Sequence, residues 1–504
     1  MASAAADLRP AGRGTRELVE DGMPLELVEQ LCGALADRGV EYCHWKSNEA
    51  LARSLNGDND LDLLVARSDQ AQFLQVLAGL GFKGSYLPPA REVPAVVHFY
   101  GLDRPSGRLV HVHAHFRLVL GDDTTKNFWL PMEQAYLASR SRGDLLPVPA
   151  PEHELAVLIL RMVLKHSTWD AILQARGSLS ASEQRELAWL VERTQWPAVD
   201  AVVAEHLPFL VEVWPACRRA VERGCSLAAR VRAGAALVQA LQACARRPRW
   251  RDTTLRLVRR CTWGARRYVL RRPVRKRLSG GGAVIAVVGG DGAGKTTTVA
   301  AVQRWLAGPF VVEPVHLGHP PRSMSTLVVK SALRVGARAG LFPDLAEPTA
   351  RRSDLTKPPS TAWLLWHVLT ARDRRRAYVR ARRVAAGGGL VVCDRYPLSQ
   401  LRHMDGPRTQ WAGDLPGVSR AGRRLVRAEA RCYSVFTSPD LLVVLRVPPE
   451  IAVARKTEEG GAYVRRRSTD VWNARWDDST AVVDAARPVA EVIADVRTAV
   501  WERL

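Results

Sequence analysis

Apolar runs and helical periodicity divide this chain into two α/β regions with a helical region between them. Residues 25–39 carry apolar side chains at helical spacing, and residues 61–66 form a short apolar run that predicts a buried strand. Residues 108–118 alternate apolar and polar positions, which is typical of a strand with one buried face. A helical pattern begins at Pro151 and continues to about Ala245 without a convincing strand.

The last region alternates strand-like and helical patterns. Short apolar runs that predict strands are separated by longer helical stretches, and these runs cover 283–288, 310–316, 390–393 and 441–447. Such a βα rhythm predicts a doubly wound parallel sheet. We therefore expect an α/β protein with five parts: a tail over 1–23, an α/β domain over 24–149, a helical domain over 150–245, a basic linker helix over 246–280 and a second α/β domain over 281–504.

Composition supports folded domains with a basic surface. The chain has 504 residues, of which 47% are hydrophobic and 25% charged, so two or three globular domains are expected rather than disorder. Lys and Arg number 73 against 51 Asp and Glu, and the net charge of +22 favours phosphates, nucleic acid or an anionic membrane as partners. The eight cysteines form no CxxC pair and no signal-peptide pattern opens the chain, so we expect reduced thiols in a cytoplasmic protein.

Much of the excess charge lies in residues 246–277. This segment carries fourteen Lys or Arg residues against the single acid Asp252, with apolar residues interleaved. A basic amphipathic helix of this kind can contact an anionic membrane surface. The alternative is a solvated linker helix whose apolar side packs on a neighbouring domain. Specific nucleic-acid binding is less favoured, because no recognised nucleic-acid motif accompanies the charge.

The strongest chemical signal is a phosphate-binding loop. The chain from Gly289 to Thr296 reads GGDGAGKT between an apolar strand and a helix, which fits the P-loop pattern. Its glycines let backbone N–H groups surround phosphate oxygens, and the helix N-terminus adds a partial positive charge. We expect Lys295 to reach the β- and γ-phosphates of ATP and Thr296 to bind Mg²⁺. The predicted ATP-binding residues are Gly289, Gly290, Asp291, Gly292, Ala293, Gly294, Lys295, Thr296 and Thr297.

A second polar group follows the predicted strand over 390–393, where the chain reads Asp394-Arg395-Tyr396. Doubly wound sheets place ligand groups at the carboxyl ends of their strands. We expect Asp394 to hold the Mg²⁺ shell and Arg395 to bind a phosphate through two hydrogen bonds.

These motifs and their order resemble the thymidylate kinase family of nucleoside monophosphate kinases, over roughly 283–504. The resemblance implies that Asp291 lies near the reacting phosphates and that Arg374 binds the acceptor. Three consecutive arginines at 465–467 fall where such kinases carry lid arginines that stabilise the transferred phosphoryl group, although a solvated basic loop is the alternative. The catalytic group implied in this way is Lys295, Asp291, Asp394, Arg395 and Arg466.

Departures from the family pattern leave the acceptor open. The Arg-Glu-Pro-Gly segment that helps to seat the thymidine nucleotide is absent, and residues 315–322 read VHLGHPPR instead. Leu401-Arg402-His403 also stands where the family has Ala-Tyr-Gln. A nucleotide, a sugar or another polar metabolite therefore remains possible.

A weaker constellation lies near the N-terminus. Asp60 and Asp62 alternate along a predicted strand, so both carboxylates face one side and can share a divalent metal ion. With Lys46 and Ser47 in the preceding turn, this layout resembles the nucleotidyltransferase superfamily. The resemblance implies a third acid on a later strand, where His111 stands instead. An active nucleotidyltransferase, a degenerate binding module and an unrelated α/β domain all remain open.

The sequence thus predicts a phosphotransferase that uses ATP and Mg²⁺, with a small nucleotide or sugar-type acceptor and an appended nucleotidyltransferase-like module. The alternative is an ATP-binding switch or scaffold on an anionic membrane surface, without acceptor phosphorylation. The pattern predicts no oligomeric state.

Overall fold

The computed structural model describes residues 23–88, 91–141, 143–167, 179–265, 268, 275–341, 345, 357–398, 400–401, 406–456 and 461–504. The predicted tail before residue 23, the linker residues 266–267 and 269–274, and residues 402–403 lie outside this set. The chain forms two compact units. The first unit comprises Met1–Lys83 and Pro89–Pro273, and the second comprises Gly84–Pro88 and Val274–Leu504.

The described helices, numbered in chain order, are distributed over both units. They are α1 Glu26–Asp37, α2 Leu51–Leu55, α3 Gln70–Gly79, α4 Glu133–Ala138, α5 Pro151–His166, α6 Ala181–Arg193, α7 Trp196–His206, α8 Trp214–Val221, α9 Leu227–Ala240, α10 Arg249–Gly264, α11 Lys295–Leu306, α12 Met324–Arg338, α13 Thr361–Ala386, α14 Arg420–Tyr433, α15 Pro449–Arg455, α16 Gly461–Asn473 and α17 Val489–Arg503. None of them is long and apolar enough to cross a bilayer.

The described strands are shorter and form three sheets. They are β1 Tyr42–His44, β2 Leu61–Val65, β3 Lys83–Tyr86, β4 Val96–Asp103, β5 Arg108–His115, β6 Leu118–Leu120, β7 Phe128–Leu130, β8 Arg277–Leu278, β9 Ala283–Gly289, β10 Val312–His316, β11 Leu390–Asp394, β12 Leu441–Arg446 and β13 Ala481–Asp484.

In the first unit the strands run in the order β1-β2-β5-β4, with β2 and β5 parallel and the other neighbours antiparallel. The register of β2 against β5 places Asp62 opposite His113. In the next pair, β4 places His98 opposite the same histidine. Acidic and imidazole side chains therefore meet on three neighbouring strands.

Helix α5 is the centre of the helical part of the first unit. Proline at its first position and acids in its first turn favour its start, and α6, α7, α8 and α9 pack around it. One apolar core joins strand residues such as Leu64 and Leu118 to α5 residues such as Ile159. The α/β part and the helical part consequently share a core.

The second unit is built on a five-stranded sheet in the order β10-β11-β9-β12-β13, in which every neighbouring pair is parallel. Central strand β9 is buried along its whole length. Its residues Val284, Ala286 and Val288 pack in one core with α13, while α11 packs on β9, β11 and α17. The predicted mixed α/β class is confirmed, with helices against parallel strands.

The apolar patterns located most elements within a few residues. The strand predicted at 61–66 is β2, the strand at 108–118 is β5, and the four runs in the last region are β10, β11, β12 and the central β9. Strand β4 was not predicted, because Gly101 and the polar His98 interrupt its apolar pattern. Helix α14 was also missed, since its many arginines hide a narrow buried stripe.

Two glycines in helices of the first unit differ in the space around them. A Cβ atom on Gly234 in α9 would lie 2.7 Å from Cβ and 2.8 Å from the carbonyl oxygen of Ser167. A Cβ atom on Gly33 in α1 would meet no described atom within 4 Å. We predict that Gly234→Ala lowers the free energy of unfolding by about 1–3 kcal/mol through overpacking, whereas Gly33→Ala raises it by up to about 1 kcal/mol through helix propensity.

Urea denaturation of the full chain, followed by tryptophan fluorescence and circular dichroism, measures both effects. A Gly234→Ala protein that unfolds at the same urea concentration as the parent would contradict the close packing of α9 on the end of α5.

Candidate functional site

The predicted phosphate loop lies between β9, which ends at Gly289, and α11, which begins at Lys295. The loop turns through two left-handed residues, Gly292 with φ of 81° and Gly294 with φ of 80°. Glycine adopts this conformation without the penalty that a Cβ atom imposes. The glycine spacing of the motif therefore follows from the path of the backbone.

Neighbouring atoms leave no room for a side chain at Gly290 or Gly292. A Cβ atom on Gly290 would lie 2.5 Å from Oγ of Ser468 in α16. One on Gly292 would lie 2.6 Å from the carbonyl oxygen of Ala452 in α15. The loop is thus held against two helices that follow β12 in the chain.

The start of α11 is open to solvent. Gly294, Thr296 and Thr297 are exposed, whereas Asp291 and Lys295 are buried. The first N–H groups of a helix have no partner within the helix, and with the helix dipole they attract anions. An exposed helix start with a threonine hydroxyl beside it suits a phosphate group and its metal ion.

One buried acid, Asp291, gathers three cations beside this helix start. Its Oδ2 lies 2.8 Å from a guanidinium nitrogen of Arg467, and its Oδ1 lies 3.6 Å from Nζ of Lys295 and 3.7 Å from a guanidinium nitrogen of Arg395. Burial alone would raise the pKa of the Asp291 carboxyl, but the three cations outweigh burial and lower it. Asp291 is therefore ionised and concentrates positive charge at one place.

Lys295 is folded back onto its own loop. Its ammonium donates a hydrogen bond of 2.6 Å to the carbonyl oxygen of Gly290. Burial lowers the pKa of Lys295 to about 8, although the Asp291 carboxylate opposes that change. A phosphate group beside this ammonium would favour its charged form.

Asp394 ends β11 beside Val287 of β9. Its Oδ1 is buried and has no hydrogen-bond partner among the residues that the structure describes. Its negative charge opposes the lowering of the Lys295 pKa that burial causes. Mg²⁺ prefers oxygen ligands and needs few of them from protein, so Asp394 and the exposed Thr296 hydroxyl fit the expected ion.

The neighbouring residue, Arg395, has an unusual backbone. Its φ is 65°, a left-handed conformation that is costly for a residue with a Cβ atom. Its N–H donates to the carbonyl oxygen of Val287 at 3.2 Å. A Cβ atom on Gly318 would lie 2.5 Å from Cδ of Arg395. The chain after β10 therefore needs a glycine to let this side chain pass toward Asp291.

Arg374, the predicted acceptor-binding residue, lies against the segment that follows β10. This buried guanidinium donates to the carbonyl oxygens of Leu317 at 2.5 Å and Gly318 at 3.1 Å. It also donates to the hydroxyl group of Tyr433. Arg374 thus holds the backbone at Leu317 and Gly318, and the side chain of Arg395 passes close to Gly318.

The three consecutive arginines at 465–467 lie on α16 and have different environments. Arg465 is exposed and pairs with Glu450 at 3.0 Å. Arg466, the member named from the sequence, is also on the exposed side, whereas Arg467 is buried and reaches Asp291. Arg467, and not the Arg466 named from the sequence, is the member of the three that contacts the phosphate loop. The signal was its spacing of three and four residues from the apolar Val464 and Val471, which marks the buried face of a helix.

A pocket of 690 Å³ opens beside the residues that follow Arg395. Aromatic side chains supply much of its wall, namely Tyr396, Trp411, Tyr433 and Phe436. Aromatic faces suit a planar or ring-shaped ligand. The sequence did not predict this pocket, because its lining comes from three separate parts of the chain.

In the first unit the predicted carboxylates have separate partners. Asp60 contacts His111 at 2.6 Å, whereas Asp62 contacts His113 at 2.9 Å and Nζ of Lys46 at 2.9 Å. The groups around Asp62 are therefore imidazoles and an ammonium. Imidazole nitrogens suit transition metals better than Mg²⁺, and the divalent metal ion expected between Asp60 and Asp62 stays a prediction.

The turn before Asp60 and Asp62 is fixed by acids from the helical part. Ser47 has a φ of 61°, and its N–H donates to Glu186 at 3.0 Å. Asn48 donates from its side chain to Glu154 at 2.8 Å. The helices α5 and α6 thus hold Lys46 beside Asp62.

Comparison with known proteins matches the C-terminal part of the chain. An Escherichia coli (strain K12) protein described as the uncharacterized ATP-binding protein YghR is 26% identical over 227 residues, which are 43% of this chain and 86% of that protein. A thymidylate kinase of Leifsonia xyli is 28% identical over 232 residues, 43% of this chain and 93% of the kinase. A thymidylate kinase of Chromohalobacter salexigens is 27% identical over 237 residues, 44% of this chain and 97% of the kinase. No family model matches the chain.

These relatives support the kinase-like, ATP-binding interpretation of the C-terminal part. They do not extend to the first unit, for which the nucleotidyltransferase resemblance stays a prediction.

The pKa of Lys295 predicts a pH dependence of ATP binding. Because its folded pKa is about 8 and a bound phosphate raises it, the free protein above pH 8 must take up a proton when ATP binds. We predict that affinity is level below pH 8 and then falls by up to about tenfold per pH unit.

Titration calorimetry with Mg-ATP at pH 7–9.5, in buffers of different ionisation enthalpy, measures both the affinity and the proton uptake. Lys295→Met is the control and should bind weakly with little pH dependence over this range. Wild-type binding without proton uptake above pH 8 would contradict the lowered pKa of Lys295 in the free protein.

Proposed function

We propose that the second unit transfers the γ-phosphoryl group of ATP to a small anionic acceptor, in the manner of nucleoside monophosphate kinases. The observation that carries the proposal is the buried carboxylate of Asp291, which gathers Lys295, Arg395 and Arg467 beside the open start of α11. The resemblance of this part of the chain to thymidylate kinases supports the use of ATP.

In this mechanism the backbone N–H groups of the loop and of the first turn of α11 bind the phosphates of ATP. Lys295, now hydrogen-bonded to Gly290, exchanges that carbonyl oxygen for a phosphate oxygen. Thr296 and Asp394 would hold Mg²⁺, and the ion would supply charge neutralisation on the phosphates. The buried Oδ1 of Asp394 obtains a cationic partner in this way.

Arg395 and Arg467 stabilise the charge of the transferred group. Phosphoryl transfer depends mainly on positioning and electrostatics, and it needs no covalent residue. Asp291 fixes both guanidinium groups before the substrate arrives, so their reorganisation during the reaction is small.

The acceptor that we propose is a phosphorylated molecule with a ring, such as a nucleotide or a sugar phosphate. Arg395 lies at one end of the proposed acceptor site and offers a partner for its phosphate. The aromatic pocket that begins at Tyr396 offers faces for the ring. The altered segment at 315–322 argues against assigning thymidine monophosphate in particular.

Acceptor-dependent ADP formation tests this function. Purified full-length protein with Mg-ATP is assayed against a panel of nucleoside monophosphates and sugar phosphates. We expect ADP formation with one acceptor class, its loss in Lys295→Ala, and a fall in kcat on the order of 10²–10³ in Arg467→Ala.

Arg466→Ala is the matched variant and should cost less than about tenfold, because Arg466 lies on the exposed side of α16. ADP formation that is independent of every acceptor would contradict the kinase proposal and favour the ATP-driven switch. Equal losses in the two arginine variants would contradict the role assigned to Arg467.

We also propose peripheral contact of the first unit with an anionic membrane, because α10 exposes large apolar side chains to solvent. Two of its arginines turn inward: Arg259 donates to the carbonyl oxygen of Thr124, and Arg260 pairs with Asp122. Its apolar residues turn outward, and Trp250 has 65% of its surface exposed. Surface helices normally expose their polar face.

The outward face of α10 has the chemistry of a membrane-surface helix. Leu257, Val258 and, beyond the helix, Tyr268 are exposed with Trp250. Exposed arginines at 249 and 251 accompany them. Aromatic and aliphatic groups that enter the headgroup region, flanked by basic residues, favour anionic lipid.

Vesicle sedimentation tests the membrane contact. We expect the full-length protein to sediment with vesicles of phosphatidylcholine and phosphatidylserine, and less with phosphatidylcholine alone. Trp250→Asp combined with Val258→Asp should reduce binding at least tenfold, while Val482→Asp, at an exposed apolar position of the second unit, should not. Equal sedimentation of parent and double variant would contradict the contact.

A further inference from the structure

Three side chains of the first unit form a compact group of metal-binding atoms. Asp62 lies on β2, and His113 and His115 lie on the parallel neighbour β5. One ligand atom from each lies within 4.8 Å of the others. Oδ1 of Asp62 is 2.9 Å from Nδ1 of His113 and 3.8 Å from Nε2 of His115. The two histidines are two positions apart on one strand, so they face the same side.

The buried ring of His115 is a second observation that favours a metal ion at this group. Its side chain is buried, with 4% of the residue exposed, and neither ring nitrogen has a hydrogen-bond partner among the described residues. The ring of Trp45 packs against it at 5.0 Å between centroids. Burying a polar group without a partner costs free energy. A bond from Nε2 to a metal ion would remove that cost.

We propose that Asp62, His113 and His115 bind a divalent transition-metal ion of the zinc type. Two imidazoles and one carboxylate are a usual ligand set for zinc and neighbouring first-row ions. Magnesium and calcium prefer oxygen ligands only. The ligand set thus differs from the divalent metal ion that the sequence predicts between the carboxylates of Asp60 and Asp62.

Neighbouring side chains hold the ligands in place. The ring of His98 stacks on that of His113 with centroids 4.4 Å apart. Outer groups of this kind orient metal ligands and tune their affinity. Nζ of Lys46 lies 2.9 Å from Oδ1 of Asp62, so its ammonium competes with a metal ion for that carboxylate.

The site lies on the wall of a large pocket. A cavity of 1110 Å³ is lined by His113 and His115, with Lys46, Arg161 and Lys165 among its other walls. Zinc sites with three protein ligands keep a fourth position for water or substrate. Because two of the ligands line the cavity, we place this position toward it, where an oxygen atom of a small anionic molecule can bind.

Metal binding by the full-length chain tests the proposal with Zn²⁺ and Co²⁺ alone as probes. After removal of bound metal by a chelator, titration calorimetry is expected to give one tight Zn²⁺ per chain. The Co²⁺ spectrum should show visible ligand-field bands without the near-ultraviolet band of thiolate coordination, which separates this site from the eight free cysteines.

Loss of an outer-shell partner lowers metal affinity by up to about 100-fold, and loss of a direct ligand should cost at least as much. Asp62→Asn and His113→Ala should therefore each weaken Zn²⁺ binding at least about 100-fold. His206→Ala, outside the group, should bind as the parent does. Circular dichroism establishes that each variant is folded. Lys46→Met should bind Zn²⁺ more tightly than the parent, a gain that a purely structural role for Asp62 does not produce.

The proposal is overturned if the folded parent binds no Zn²⁺, or if Asp62→Asn and His113→Ala bind Zn²⁺ as tightly as the parent. It is also overturned if the first equivalent of Co²⁺ per chain shows the near-ultraviolet band of thiolate coordination. Lys295→Ala should bind Zn²⁺ normally, because the site is independent of ATP.

Discussion

The second unit depends on a single buried carboxylate, that of Asp291. A carboxylate in a buried position is costly unless cations surround it. Here Arg467, Lys295 and Arg395 meet that need, and they come from three distant parts of the chain. The ion pairs that offset the cost of burying the Asp291 carboxylate also place positive charge at the start of α11. The proposed phosphate site and the compensation of the buried charge thus use the same three cations.

In the first unit, acids of the helical part play the organising role. Glu186 holds the N–H of Ser47 and, through both oxygens at 2.9 Å, the guanidinium of Arg161. Glu154 holds Asn48, and burial raises the pKa of Glu154 to about 7. The turn that carries Lys46 is consequently fixed by helices later in the chain, and the α/β and helical parts pack as one unit.

The P-loop was predictable because its chemistry is local: left-handed glycines, then a lysine and a threonine at a helix start. The choice of Arg467 over Arg466 was also within reach, since Val464 and Val471 mark the buried face of α16. The pairing of Asp62 with His113 depends on the register of β2 against β5. Nothing local in the sequence sets that register, and the contacts of Arg374 with Leu317 depend on tertiary packing in the same way.

The most direct test of the central claim is a ³¹P NMR time course of full-length protein with Mg-ATP and a mixture of nucleoside monophosphates and sugar phosphates. If the cation cluster around Asp291 serves phosphoryl transfer, the γ-phosphate signal is replaced by ADP together with a new phosphorylated product. If ATP stays intact, or only inorganic phosphate appears, the second unit is not a kinase for this class of acceptors.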